Sequence, residues 1–104
     1  MTDRIHVVPD SLRAAAAEHR RTAEQLAAIP ASHPQIQASL DSLGPIYAEL
    51  AEAGRHLLEQ RRRCYAEQSA EHARTADALT AAAAMWEQHE RDAAARFSGL
   101  AGER

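Results

Sequence analysis

Ser42-Leu43-Gly44-Pro45 is the one strong break in a chain of 104 residues that otherwise reads as helix almost from end to end. A glycine just past an apolar run closes a helix, and a proline just after it suits the first turn of the next. Gly44 and Pro45 therefore form a turn at which an N-terminal arm folds back against the C-terminal half. From Pro45 to Phe97 nothing forces a stop. Gly54 is the only weak point, and an isolated glycine costs only about 1 kcal/mol in a helix. The spacing predicts one long helix over 45–97, on the order of 80 Å at roughly 1.5 Å per residue.

Before the turn, Ile5, Val7 and Val8 read as a short extended lead-in ending at Pro9, where a helix over 9–29 begins with Asp10 near its positive end. Leu12, His19 and Leu26 recur every seven residues, with Ala15 or Ala16, Ala23 and Ile29 in the intervening slots. Arg13, Glu18, Arg20, Arg21 and Glu24 take the other side, which makes an amphipathic stripe of coiled-coil width. Pro30 and Pro34 end that helix. Ile36, Leu40 and Leu43 then mark a short helix over 35–43.

Beyond the turn, Ile46, Leu50, Ala53, Leu57 and Cys64 continue the apolar stripe, and it resumes through Ala76, Leu79, Ala83, Trp86 and Ala93. The two halves are one residue out of phase, and a slip between Gln60 and His72 marks curvature or a change of partner. Residues 98–104 read as a flexible tail. The expected architecture is all-α: one antiparallel helical-hairpin domain over 1–97, with a long C-terminal helix.

The apolar fraction of 45% overstates the core, because 25 of those residues are alanine. Nine Leu, four Ile, two Val, two Met and four aromatics remain. At roughly 1.5–3 kcal/mol per fully buried large side chain they face an ordering cost of similar size. A lone hairpin is marginal, so pairing into a four-helix bundle or coiled-coil dimer is expected, as a homodimer or a heterodimer with another helical hairpin. Leu12, Leu26, Leu50, Leu57 and Leu79 are the residues expected to carry packing.

The formal charge of -3 is mild and basic residues are dispersed among acids, which argues against nucleic acid and acidic membranes as partners. All twelve basic residues are Arg, and the chain has no Lys and no Asn. That bias belongs to a GC-rich genome and points to an actinobacterial source. Arg61-Arg62-Arg63 lies between Glu59 and Glu67, as in a salt-bridged, solvated face. Cys64, having no second cysteine, reads as a small apolar packing residue. The N-terminus lacks a basic start followed by an apolar run, and no stretch approaches the roughly 18 apolar residues of a membrane span. Export, if it occurs, uses a route without a cleaved N-terminal signal.

No chemistry of catalysis is legible. None of the six histidines stands four residues from another, and Glu52 with His56, or Glu49 with Glu52, reads as ordinary helix surface. No segment supplies a full ligand set, a nucleophile elbow or a phosphate-cradling glycine loop. Neither metal, cofactor nor enzyme activity is expected. The feature left over is Trp86 with Glu90 one turn on, an aromatic and a carboxylate sharing a helical face late in the chain, as suits recognition.

These residues together resemble a known group, the EspC-like type VII (ESX) secretion targets, distantly related to the WXG helical-hairpin proteins. Val7-x-Pro9-x-x-Leu12 with Ala16 is similar to that family's Val-x-Pro-x-x-Leu opening. Gly44-Pro45 with Tyr47 resembles its Gly-Pro-aromatic start of the long helix. Trp86-x-x-x-Glu90 falls where the family carries Tyr-x-x-x-Asp/Glu, its export motif, with Trp in place of Tyr. Ser42-Leu43-Gly44 lacks the Trp of a Trp-x-Gly turn. The resemblance covers about 7–97 and implies a secreted or cell-envelope helical protein, recognised by an ESX ATPase and acting alone or with a second substrate. A reading of another class is a cytoplasmic coiled-coil adaptor or chaperone for a larger effector, not itself exported.

Overall fold

The computed structural model describes the backbone of residues 2–102 and the side chains of residues 8–100. Helix α1 spans Thr2–Ala28, a 3-10 turn follows at Ile29–Ser32, and α2 spans His33–Asp41. A second 3-10 turn at Pro45–Tyr47 leads into α3, Ala48–Gly102. There is no strand among the described residues, and the fold is a helical hairpin.

Each boundary has a local cause. Helix α1 starts ahead of Pro9 and carries it inside, so the extended lead-in expected at Ile5, Val7 and Val8 is helical instead. A proline removes one backbone hydrogen bond and crowds the preceding turn. Here its ring is buried, and packing overrides the local preference. Helix α2 starts two residues earlier than expected because Pro34 sits in its first turn, where the missing N–H would have had no partner. It also ends two residues earlier. The Ser42 N–H still bonds the Ala38 carbonyl (3.0 Å), but Leu43 and Gly44 donate to carbonyls only three residues back, at 3.2 and 3.4 Å.

Gly44 then takes φ 94° and ψ 176°, a region open in practice only to glycine. The Tyr47 N–H bonds the Gly44 carbonyl at 3.1 Å, which makes Pro45–Tyr47 a 3-10 turn and delays α3 to Ala48. At the other end α3 continues through residues 98–102, where a flexible tail was expected. Glu103 and Arg104 lie outside the described residues.

The chain forms two compact units, Met1–Arg20 with Arg74–Arg104, and Arg21–Ala73. In the first, the Arg13 guanidinium donates to the Glu87 carboxylate, and Arg20 donates to the Thr80 hydroxyl (3.0 Å) with Asp77 at 3.8 Å. In the second, the Ser69 hydroxyl donates to the Ala23 carbonyl (2.8 Å) and Gln37 Nε2 to the Ala51 carbonyl (3.0 Å). Arg55 pairs with Asp41 at 3.0 Å, and the His33 and Tyr65 rings stand 6.5 Å apart.

The inward positions of the N-terminal arm run from Pro9 through Ala16, Ala23 and Pro30 to Gln37, with Leu12, His19, Leu26, His33 and Leu40 between them. This is the expected seven-residue rhythm, with one change: Pro30 takes the slot assigned to Ile29, which is 38% exposed. On α3 the inward line is Ala51, Gly54, Leu58, Tyr65, Ser69, His72, Ala76, Leu79 and Ala83. Ala51, Leu58, Tyr65, His72 and Leu79 keep steps of seven throughout, so this line does not slip between Gln60 and His72 as expected; only the alternate positions shift, from Gly54 to Ser69, Ala76 and Ala83. The stripe expected from Ile46, Leu50, Ala53, Leu57 and Cys64 is a different line, one residue off the packed one.

Apart from Pro9, the fully or nearly fully buried apolar residues among those described are alanine: Ala16, Ala76 and Ala83 in one unit, Ala23 and Ala51 in the other. Gly54 belongs to the same scheme, since a Cβ there would run into Leu40 Cδ1. It is a point of close approach between α2 and α3 and not merely a weak spot.

Gly44→Ala should cost about 1–3 kcal/mol, read as a lower urea midpoint at unchanged slope. Ala76→Leu should cost about 1–3 kcal/mol by overpacking, whereas Ala78→Leu, two positions on and exposed, should stay within about 0.5 kcal/mol. Equal effects of the two leucines would contradict an alanine-lined contact.

Candidate functional site

Trp86 and Glu90 lie on α3 in the unit that contains both chain ends. Packing decides how each is presented. Ala83 is fully buried, Glu87 and Glu90 are half-buried, and Trp86 at the rim of that line is 42% exposed. Glu87 is engaged by Arg13, itself 3.9 Å from Asp10. On the outer face Arg91 donates to Gln88 Oε1 (2.8 Å) and Gln88 Nε2 to Asp92 (2.9 Å), a polar chain beside the exposed Met85.

Past Trp86 the helix keeps its apolar spacing but loses cover. Ala83, Glu90 and Phe97 are seven residues apart, so Phe97 continues the inward line, yet it is 75% exposed, and Leu100 is 67% exposed. Glycines at 99 and 102 make this end look like a tail, and the seven-residue interval from Glu90 to Phe97 is the signal that places it on the helix.

The turn residues sit as expected in chain position, with Gly44 half-buried and Pro45 exposed. The five leucines divide. Leu12, Leu26 and Leu79 are half-buried on the inward lines, but Leu50 and Leu57 are 51% and 56% exposed. Cys64, expected to pack, is exposed, and Gln68 Nε2 approaches its sulfur at 3.3 Å. Ile36, Leu43 and Ile46, read from the sequence as part of the apolar stripes, are also exposed.

Around the triple arginine the charges are matched locally. Glu59 accepts two hydrogen bonds from Arg62, at 2.7 and 2.9 Å, and one from Arg63 at 3.3 Å. Arg61 turns to Tyr65, donating to its hydroxyl at 3.0 Å with the guanidinium 5.8 Å from the ring centre. Glu52 is shared by Arg55 (2.6 Å) and His56 (3.3 Å). No cluster of three or more His, Cys, Asp or Glu placed to hold a metal occurs among the described residues, and no described helix is long and apolar enough to cross a membrane.

A family model described as "Excreted virulence factor EspC, type VII ESX diderm" matches residues 1–99. The chain belongs to this EspC family. It is thus a type VII secretion-associated protein, in a family named for an excreted factor and not for a catalytic activity. Uncharacterized proteins from two strains of Mycobacterium tuberculosis and from Mycobacterium bovis are 58% identical over 99 residues, covering 95% of this chain and 93% of each relative. These mycobacterial relatives agree with the actinobacterial source read from the arginine and alanine bias. No solved structure matches the chain.

The electrostatics of this EspC-family member give one pH outcome. The Arg62 hydrogen bonds, reinforced by Arg63, hold the Glu59 carboxyl down from 4.5 to about 2. A depressed folded-state value stabilises the fold above the unfolded value and is lost as pH falls from about 4.5 towards 2. Carboxyl NMR should find Glu59 titrating near 2 in the folded chain and raised towards its ordinary value in Arg62→Ala, where Arg63 still holds part of the depression. A wild-type midpoint at the ordinary value would contradict the pairing.

Proposed function

We propose that the protein is an exported substrate or targeting partner of a type VII (ESX) system, with Trp86 and Glu90 forming the part that the export ATPase reads. The observation that carries this reading is the uncovered end of α3: Trp86, Phe97 and Leu100 are 42%, 75% and 67% exposed along one helix. Exposed tryptophan is the side chain that most often anchors a protein interface, and an amphipathic helix end docks by inserting such anchors into a groove. Glu90, one turn from Trp86, adds a charge that fixes orientation. The family supports secretion as the setting.

The second element of the reading is pairing with another helical hairpin, as homodimer or heterodimer, supported by the exposed Leu50 and Leu57. A cytoplasmic adaptor that shields a larger effector would use the same leucines. Location separates the two. In a mycobacterial host with a working ESX system the protein should accumulate in culture filtrate. Trp86→Ala or Glu90→Ala should reduce that fraction about tenfold or more with helicity unchanged. Strict cellular retention of the wild type sinks the export reading and leaves the adaptor.

A further inference from the structure

Trp86 and Glu90 have a second carboxylate beside them. Glu87, one residue past Trp86 and three before Glu90, is a neighbour of Glu90 on α3, because residues three apart on a helix stand roughly 5–6 Å apart at Cβ. Both acids are half-buried, yet they are presented differently. Glu87 accepts a hydrogen bond from the Arg13 guanidinium across the seam. Glu90 makes no hydrogen bond or ion pair among the described residues.

Arg13 is the cation that decides between them. Arg13 meets Glu87 and Arg20 meets Thr80, so α1 and α3 run antiparallel, and a step towards the start of α1 is a step towards the end of α3. Asp10, one turn before Arg13, and Glu90, one turn after Glu87, therefore lie on the same side of the Arg13–Glu87 contact. The second terminal nitrogen of Arg13 is already on that side, 3.9 Å from Asp10. One cation thus stands among the carboxylates of Asp10, Glu87 and Glu90, and Glu87 holds it.

This ion pair does little for the fold. Its side chains are 45% and 40% exposed, and pairs so exposed are screened by water and must order two long side chains. Its consequence lies at Glu90. Asp10 is 79% exposed and so the more strongly screened competitor, which means that an Arg13 released from Glu87 turns to the half-buried Glu90 one turn along. A carboxylate covered in this way has no charge left for an incoming partner. We infer that Glu87 is a positioning residue for recognition: it occupies Arg13 and thereby keeps Glu90 free beside Trp86. The inference deepens the export reading of Trp86 and Glu90 and rests on it. It also names the partner's chemistry. With the chain's own arginine taken up by Glu87, the group that meets Glu90 is a cationic side chain of the partner, at the edge of the apolar groove that takes Trp86.

Suppression in the full-length chain tests it. Glu87→Ala should keep its helicity, since alanine is the best helix former. It should lower the culture-filtrate fraction about three- to fivefold, because apparent affinity falls with the fraction of chains in which Glu90 is free. Adding Arg13→Ala removes the masking group and should return export to within about twofold of the wild type. A bridge needed only for folding, or a Glu87 that itself touches the partner, would leave the double variant no better than the single one, and that result overturns the inference. Arg20→Ala, which removes the neighbouring cross-helix contact to Thr80, should leave export unchanged. A crystal structure of Glu87→Ala gives a readout independent of export. Arg13 should lie within about 4 Å of the Glu90 carboxylate. An Arg13 turned to solvent there overturns the inference while the export reading stands, whereas a wild type that never reaches culture filtrate removes the export reading and the inference with it.

Discussion

Helix-to-helix contact through methyl groups is the constraint on which this hairpin depends. Ala16, Ala76 and Ala83 in one unit, and Ala23 and Ala51 in the other, lose nearly all their contact with water, joined among the described residues by the ring of Pro9. Small residues at these points let the helical backbones come close, and the close approach brings polar groups within reach of carbonyls across the gap, as with Ser69 on Ala23 and Gln37 on Ala51. Gly54 against Leu40 is the same principle at its limit. With alanine at the closest points, Leu12, Leu26, Leu40, Leu58 and Leu79 fill the rest of the inward lines half-buried, while Ile29, Ile36, Leu43, Leu50 and Leu57 are left exposed.

That division explains what could be read from the sequence and what could not. The hairpin, the reversal at Gly44 and the rhythm of α1 were legible because each has a strong local cause: a positive φ only glycine accepts, and a seven-residue repeat of Leu12, His19 and Leu26. In the second half of α3 the stripe through Ala76, Leu79 and Ala83 was legible too, but the face of the first half was not. Reading large apolar residues as the core put Ile46, Leu50 and Leu57 inside, when the buried line runs one residue later through Ala51 and Leu58. Alanine is too abundant here to mark a face, so burial had to be decided by the partner helix. Pro9 misled for a related reason: its local preference is for a helix start, and burial of its ring in the packed unit outweighs it.

The site at Trp86 was legible as a pair of residues and not as a surface. The spacing placed an aromatic and an acid one turn apart, but it took the fold to show that Trp86 sits on the rim, that Glu87 is engaged by Arg13, and that α3 continues past residue 97 with its apolar line uncovered. Membership of the EspC family agrees with a chain whose exposed apolar residues fall in two places, one at each compact unit.

The alanine seam also has a thermal consequence. The heat-capacity change of unfolding follows the apolar area that folding removes from water, and methyl groups supply little of it. A hairpin built this way has a shallow dome of stability against temperature, with modest enthalpy, a broad melting transition and little tendency to denature in the cold. The half-buried leucines on the inward lines supply the rest of that apolar area, so the curvature of the dome depends on them more than on the alanine seam.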